Sequence, residues 1–161
     1  MSAPCIVGID PGLTGAVAFY APGSRTAWVK DLPTVQRGIG KARVRRELDA
    51  AGLAHLLRPW DIDTAFVEAV SARPGQGVAS VFSLGHSLGT ICAVLSALGI
   101  AWQPVAPAVW KKALRLPSDK EAARAMASRL FPGVDLTRIK DHNRAEALLL
   151  AHYGEHHHDR P

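Results

Sequence analysis

Apolar residues fall in short runs broken by turn chemistry near the start of the chain and in longer patterns of helical period further on. Cys5-Ile-Val-Gly-Ile-Asp10 is apolar up to its last residue and reads as a buried strand. Pro11-Gly12-Leu13 gives a turn and Thr14–Tyr20 a second strand, so the two predict a hairpin that opens a sheet. Pro22-Gly23 separates a third strand near Thr26–Leu32. Val35–Ala42, with its glycines and basic residues, predicts an exposed loop leading to a helix over about Arg43–Leu57. Thr64–Val70 is a fourth strand, followed by a Gly/Pro loop at Ser71–Gly77 and a long helical pattern over Val78–Leu98 that Gly99 ends. Ile100–Val105 is a short fifth strand. Pro107 suits the first turn of a helix carrying Trp110, Lys111 and Lys112, and Ser118 is placed to cap another helix reaching Phe131. Asp141 is the N-cap expected for a final helix through Tyr153.

The order strand–strand–strand–helix–strand–helix–strand–helices predicts an α/β fold, a mixed sheet with helices on its faces. One domain spans 1–161, with a core at about 5–154 and a mobile tail at 155–161 that includes His156-His-His158, a run able to take up transition metals adventitiously.

Composition narrows the class. With 48% hydrophobic and 20% charged residues in 161, the chain suits a globular domain with a buried core. The apolar stretches around Ala79–Ala101 and Ala145–Tyr153 are broken by Gly, Ser and His, and no signal-peptide pattern is present, so no membrane association and a cytoplasmic location are expected. Cys5 and Cys92 lie in apolar runs without a CxxC partner, which argues for core positions rather than a zinc site or a disulfide framework. A net charge of +5 and a pI near 9.6 favour a polyanionic partner.

Three acids stand where acids are rare. Asp10 ends an otherwise apolar strand, and Glu68 lies inside Ala65–Val70, on the same face as Phe66 and Val70 by strand alternation. Glu146 sits near the start of the last helix, with His142 and Asn143 on the same side of its first turns and Asp141 at the cap. Converging from distant segments, such carboxylates suit Mg²⁺ or Mn²⁺. Two such ions about 4 Å apart can activate a water and stabilise the leaving oxygen in phosphodiester hydrolysis. For Asp10 or Glu68 alone, a structural pairing role fits equally well.

Ile6-Val-Gly-Ile-Asp10-Pro-Gly-Leu-Thr-Gly15 resembles the opening motif of RuvC-type Holliday junction resolvases, Phe66-Val-Glu68 their second motif, and Arg144-Ala-Glu146-Ala-Leu-Leu-Leu-Ala151 their closing helix, in the version seen in phage-type members. The similarity runs in order from about residue 5 to 154. It implies an RNase H-like mixed five-stranded sheet with helices on both faces, and a metal-dependent endonuclease of the crossover junction type that cuts branched DNA with water as the nucleophile. Asp10, Glu68 and Glu146 would be metal ligands for two Mg²⁺ ions, with Mn²⁺ able to substitute. The family's fourth ligand falls on Asn143, a poorer ligand, so Asp141 or His142 takes that role instead.

The resemblance also gives Lys111 and Lys120 as catalytic-site lysines that offset charge at the scissile phosphate. Arg37, Lys41, Arg43, Arg45 and Arg46 would track the DNA backbone, and Arg73, Gln76 and Lys112 would contact DNA beside the site. The family's junction-wedging aromatic is replaced by Ser71. Gly85-x-x-x-Gly89 allows close packing, either within the chain or, as the resemblance favours, in a homodimer through the helix 78–98. His55 and His86 read as structural or exposed. The implied setting is a bacterial cell, with a phage-encoded origin as an option. Three other readings stand beside this one: a noncatalytic branched-DNA binding module, an RNase H-like nuclease with a different substrate, and a sugar-kinase or actin-like ATPase suggested by Gly8–Thr14. The last normally needs two such domains.

Overall fold

The computed structural model describes residues 4–38 and 44–157. In chain order its elements are β1 (Cys5–Asp10), β2 (Ala16–Ala21), β3 (Thr26–Asp31), β4 (Thr34–Arg37), β5 (Arg45–Leu48), α1 (Ala50–Leu57), β6 (Ile62–Glu68), α2 (Val78–Ala97), β7 (Trp102–Val105), α3 (Pro107–Ala113), α4 (Lys120–Leu130), a 3-10 turn (Ile139–Asp141) and α5 (His142–His157). The main sheet has the order β3-β2-β1-β6-β7, with β1–β2 and β2–β3 antiparallel and β1–β6 and β6–β7 parallel.

Both faces of this sheet are covered, so its central strands are apolar at nearly every position rather than at every second one. Ile6, Ala18, Tyr20 and Phe66 point to a core shared with Trp110 of α3, Ala123 and Ala127 of α4, and Ala145–Ala151 of α5. Val7, Ile9, Val17, Phe19, Ala65 and Val67 point to the other core, with Leu53 and Leu57 of α1 and Ile91 and Leu95 of α2. Gly8 fixes how close α5 lies. A Cβ there would collide with the backbone of Ala147 and Ala151, so the helix rests directly on β1.

Several boundaries differ from those the sequence suggests. Thr34–Arg37 and Arg45–Leu48 pair as an antiparallel ribbon, Thr34 opposite Leu48 and Arg37 opposite Arg45, where a loop and the start of a helix were expected. The arginine run has no apolar stripe for a helix to bury, and pairing satisfies its backbone while burying only Leu48. The helix begins after Asp49, whose Oδ1 accepts from the Gly52 amide at 3.0 Å. Asp119 rather than Ser118 caps α4, accepting from Glu121. β6 ends at Glu68, which leaves Val70 in the following loop. Residues expected in a mobile tail are helical as far as His157, where the ring stacks on Tyr153 with centroids 4.0 Å apart. Cys5 is buried, Cys92 half-buried, and both are free.

Candidate active site

Strand register brings the first two acids together. Ile9 pairs with Val67 in the parallel β1–β6 ladder, and one step further both strands end on an acid, Asp10 and Glu68. Asp10 shares its parity with Ile6, and Glu68 shares its parity with Phe66, so both side chains point to the face that α5 covers. Because Gly8 lets α5 approach to backbone contact at Ala147, the neighbouring Glu146 arrives at the same strand ends.

Charge repulsion marks the cluster. Burial and the nearby Glu68 and Glu146 push the Asp10 carboxyl up to about 7, against the Gly12 amide that donates to it and the Lys111 ammonium. Glu68 is raised by burial and by Glu146, while Trp110, Lys111 and Arg73 oppose the shift. Trp110 Nε1 donates to Glu68 Oε1 at 3.1 Å, and Lys111 Nζ lies 2.7 Å from Glu146 Oε1. The two neighbours on α3 thus engage two of the three acids. Trp110 was legible in the sequence only as part of a basic helix; its role as the partner of Glu68 needs the fold.

The start of α5 is braced on three sides. Asn143 Nδ2 donates to the Thr14 carbonyl at 2.7 Å, and Arg144 forks onto Asp31 at 2.6 and 2.9 Å. Asp141 does not cap the helix by itself; it closes the 3-10 turn, with Oδ1 accepting from Arg138 Nη2 at 2.7 Å and Oδ2 from the Arg138 amide at 2.9 Å. Burial opposes its ionisation, but the Arg138 bonds outweigh it and hold the carboxyl below its ordinary value. His142 turns Nδ1 to the Ile139 carbonyl at 3.1 Å. Neither Asp141 nor His142 is among the charges that act most strongly on Asp10 or Glu68.

The basic residues divide. Arg73 lies close enough to lower the Glu68 pKa, and its backbone amide donates to Gln76 Oε1 at 3.1 Å. Arg46 Nη2 donates to the Leu13 carbonyl at 2.5 Å, tying the β4–β5 ribbon to the turn after Asp10. Arg45 and Arg46 border a cleft of about 340 Å³ against Phe82 and His86 of α2. Arg37 lies 3.5 Å from Glu47 across the ribbon. Lys112 is exposed beside Lys111, and Lys120, exposed at the start of α4, makes none of the contacts with the acids that Lys111 makes. Lys41 and Arg43 lie outside the described residues.

No family model matches the chain. It is 31% identical over 157 residues to the crossover junction endodeoxyribonuclease RuvC of Zymomonas mobilis, covering 94% of this chain and 90% of that protein. Its fold is similar to that of T. thermophilus RuvC in complex with a Holliday junction substrate, with a TM-score of 0.67 at 18% identity over 94% of this chain and 93% of that one. A second Thermus thermophilus RuvC structure gives a TM-score of 0.59 at 18% identity, covering 95% and 96% of the two chains.

Proposed function

The chain belongs to the family of RuvC crossover junction endodeoxyribonucleases, and from that premise we propose that it hydrolyses phosphodiester bonds at Holliday junctions or related branched DNA, with water as the nucleophile. The observation that carries this reading is the convergence of Asp10, Glu68 and Glu146 from β1, β6 and α5 around a single ammonium, Lys111.

Metal dependence fits this donor set. Among the described residues no three acid, histidine or cysteine side chains close on one point as they stand, since Lys111 occupies Glu146 and Trp110 occupies Glu68. Yet Glu68 and Glu146 both raise the Asp10 pKa and Glu146 raises that of Glu68, so the three carboxylates carry more negative charge than one lysine offsets, and hard divalent cations suit such oxygen donors. Asp10, Glu68 and Glu146 would hold two Mg²⁺ ions, or Mn²⁺ in their place, which would supply water activation and charge neutralisation. Of the two candidates for a further ligand, His142 keeps one ring nitrogen clear of its bond to Ile139, whereas both oxygens of Asp141 are taken by Arg138.

The chain's own groups do the rest. Trp110 orients Glu68, the Gly12 amide orients Asp10, and Lys111 is placed to shift from Glu146 to a phosphate oxygen as charge grows there. Lys120 would add a second cation at the rim, and Arg37, Arg45, Arg46, Arg73, Gln76 and Lys112 a salt-sensitive backbone track, joined by Lys41 and Arg43.

Two junction strands need two sites, and α2 offers the surface for a homodimer. Val78, Phe82, Gly85 and Gly89 form one exposed stripe, and a Cβ at either glycine would meet nothing within 4 Å, so among the described residues these glycines serve no packing within the chain. Among the described residues α2 is also long and apolar enough to cross a membrane, but its other side buries Ser87, Ile91 and Leu95 in the domain core, which favours a second copy as its partner. The protein would act on DNA in the bacterial cytoplasm.

The test is incubation with a labelled immobile four-way junction and a matching linear duplex in Mg²⁺, Mn²⁺ or EDTA, beside Asp10→Asn and Glu68→Gln. Paired nicks at the junction, lost in EDTA and in both variants, are expected. Metal-independent junction binding without cleavage would leave a binding module, and cleavage of other branches or hybrids in preference would leave a related nuclease.

A further inference from the structure

His152-Tyr-Gly-Glu155-His156 places three ligand-type side chains at i, i+3 and i+4, on one face of α5 past the stretch that bears Glu146. That face meets the end of β2. Glu155 Oε2 accepts from the Tyr20 hydroxyl at 2.9 Å and lies 3.4 Å from His152 Nδ1 and 4.0 Å from His156 Nε2. The two imidazoles stand edge to face with centroids 5.9 Å apart. All four side chains border a cavity of about 280 Å³ closed on its other sides by Arg25, Leu130 and Phe131. None of them takes part in the nuclease cluster. Ala16, at the near end of β2, pairs with Asp10, whereas Tyr20 lies four residues along, toward the other end.

His152 Nδ1 is buried and has no hydrogen-bond partner. It faces Glu155 Oε2 at 3.4 Å, outside hydrogen-bond geometry. A buried imidazole nitrogen and a carboxylate oxygen held at that distance suit a cation between them. Bonds of about 2.0–2.1 Å at tetrahedral angles put two ligand atoms about 3.3 Å apart. The His152–Glu155 separation of 3.4 Å already matches that spacing. The third arm is open, as no described trio closes on one point as it stands, but His156 is 65% exposed on its side chain and needs only a rotation to reach.

We propose that His152, Glu155 and His156 form a second metal site that takes one transition ion of the Zn²⁺ class, with water as the fourth ligand. Imidazole nitrogens select such ions over Mg²⁺, so the two centres would not compete for the same metal. Tyr20 acts as the outer partner that fixes the carboxylate against β2, and the ion clips together the last turns of α5. The proposal does not depend on the nuclease reading.

The test uses the full chain without an affinity tag, stripped with chelator and dialysed, carrying Asp10→Asn and kept in excess Mg²⁺ so that the acid cluster gives no signal. Titration with Co²⁺ should give the intense visible absorption of a tetrahedral site at one ion per chain, bleached by Zn²⁺, and Zn²⁺ should raise the thermal midpoint. His152→Gln and Glu155→Gln, checked for folding by circular dichroism, should each lower the affinity at least about tenfold, and Tyr20→Phe several-fold. Absence of the band, its persistence in folded His152→Gln and Glu155→Gln, or its loss in a His157→Ala, His158→Ala double variant with the trio intact would overturn the site; the last would assign the binding to the histidine run.

Discussion

Asn143 and Thr14 are joined by a side-chain to main-chain hydrogen bond of 2.7 Å that locks the first turn of α5 to the turn following Asp10. Asn143 precedes Glu146 by three residues on the same helix side, so this bond sets the distance between two acid-bearing elements. At a position where the family resemblance implies a metal ligand, this chain has a donor that serves as a brace.

Replacing the brace should loosen both fold and chemistry. Asn143→Ala is expected to cost about 1 kcal/mol of stability and to slow single-turnover junction cleavage. Asn143→Asp should fare no better, because it loses the donor and sets a carboxylate against the Thr14 carbonyl. Denaturation midpoints and cleavage rates for both variants check this; an Asp variant more stable and faster than the native chain would show that the position wants a ligand.

Asp10 imposes a cost on the metal-free protein that the sign of its shift makes measurable. Its folded pKa of about 7 lies above the unfolded value near 3.8, so the folded state is penalised fully above pH 7 and relieved as the pH falls from 7 toward 4. Asp10→Asn should therefore stabilise the metal-free protein at pH 8, by an amount on the order of a few kcal/mol, with the gain shrinking toward pH 5. His152, whose lowered pKa removes stability as the pH falls below 6.5, acts in both proteins and cancels in the difference. Asp31 and Asp141, both lowered, lose their contribution only below about 3.8, outside this window. Urea titrations of both proteins at pH 5 and pH 8 in EDTA supply the comparison, and a difference independent of pH would contradict the assignment.

The acids themselves were legible because ionised residues in apolar strands stand out against their neighbours, and the five strands of the main sheet because their runs are punctuated by Gly and Pro. What the sequence hides is pairing at a distance. Trp110 is legible only as part of a basic helix until β7 delivers α3 beside Glu68, and Arg144 only as part of the closing-helix motif until β3 brings Asp31 within 2.6 Å. The β4–β5 ribbon was missed for a local reason. Its arginines show neither a helical nor a clear strand period, and only mutual pairing and the bond from Arg46 to Leu13 decide its form. The His152–Glu155 spacing of i, i+3 is legible, but nothing in the sequence signals that Tyr20 of β2 lies against that face of α5.

Lys111 is the cation closest to the acid cluster, and its removal should separate catalysis from stability. Lys111→Gln leaves Glu146 without its 2.7 Å partner and raises Asp10 and Glu68 further. Junction cleavage at saturating DNA should fall by about 10²-fold or more, as for loss of other groups that meet developing charge, while junction binding changes little. Filter-binding constants and single-turnover rates measured on the same preparation distinguish this from a general loss of DNA affinity.

Gly8 tests how the site is assembled. A methyl group there meets the backbone of Ala147, which cannot move without lifting α5 and Glu146 off the strand ends. Gly8→Ala should destabilise the fold by about 3 kcal/mol or more, as overpacking against backbone does, and should abolish cleavage in whatever fraction still folds. Thermal melts with cleavage assays below the midpoint check both parts; native-like stability would mean that α5 is not held at backbone contact.

Phe82 is 66% exposed on a helix whose opposite side, Ser87, Ile91 and Leu95, is fully buried. With Val78 and the two open glycines it forms a stripe at i, i+4, i+7 and i+11, the spacing of a single helix face, and on a dimer axis two such stripes would cross with their glycines at the closest approach. Phe82→Asp puts a charge into that crossing from each copy without touching the acid cluster. Light scattering should show the native chain as a dimer and the variant as a monomer. If two sites on one junction are what couple the two cuts, the monomer should nick single strands and leave the opposite strand intact for longer than the lifetime of the complex. A variant that keeps the native mass would place the dimer contact elsewhere. A monomer that still makes paired cuts would break the link between this surface and junction resolution.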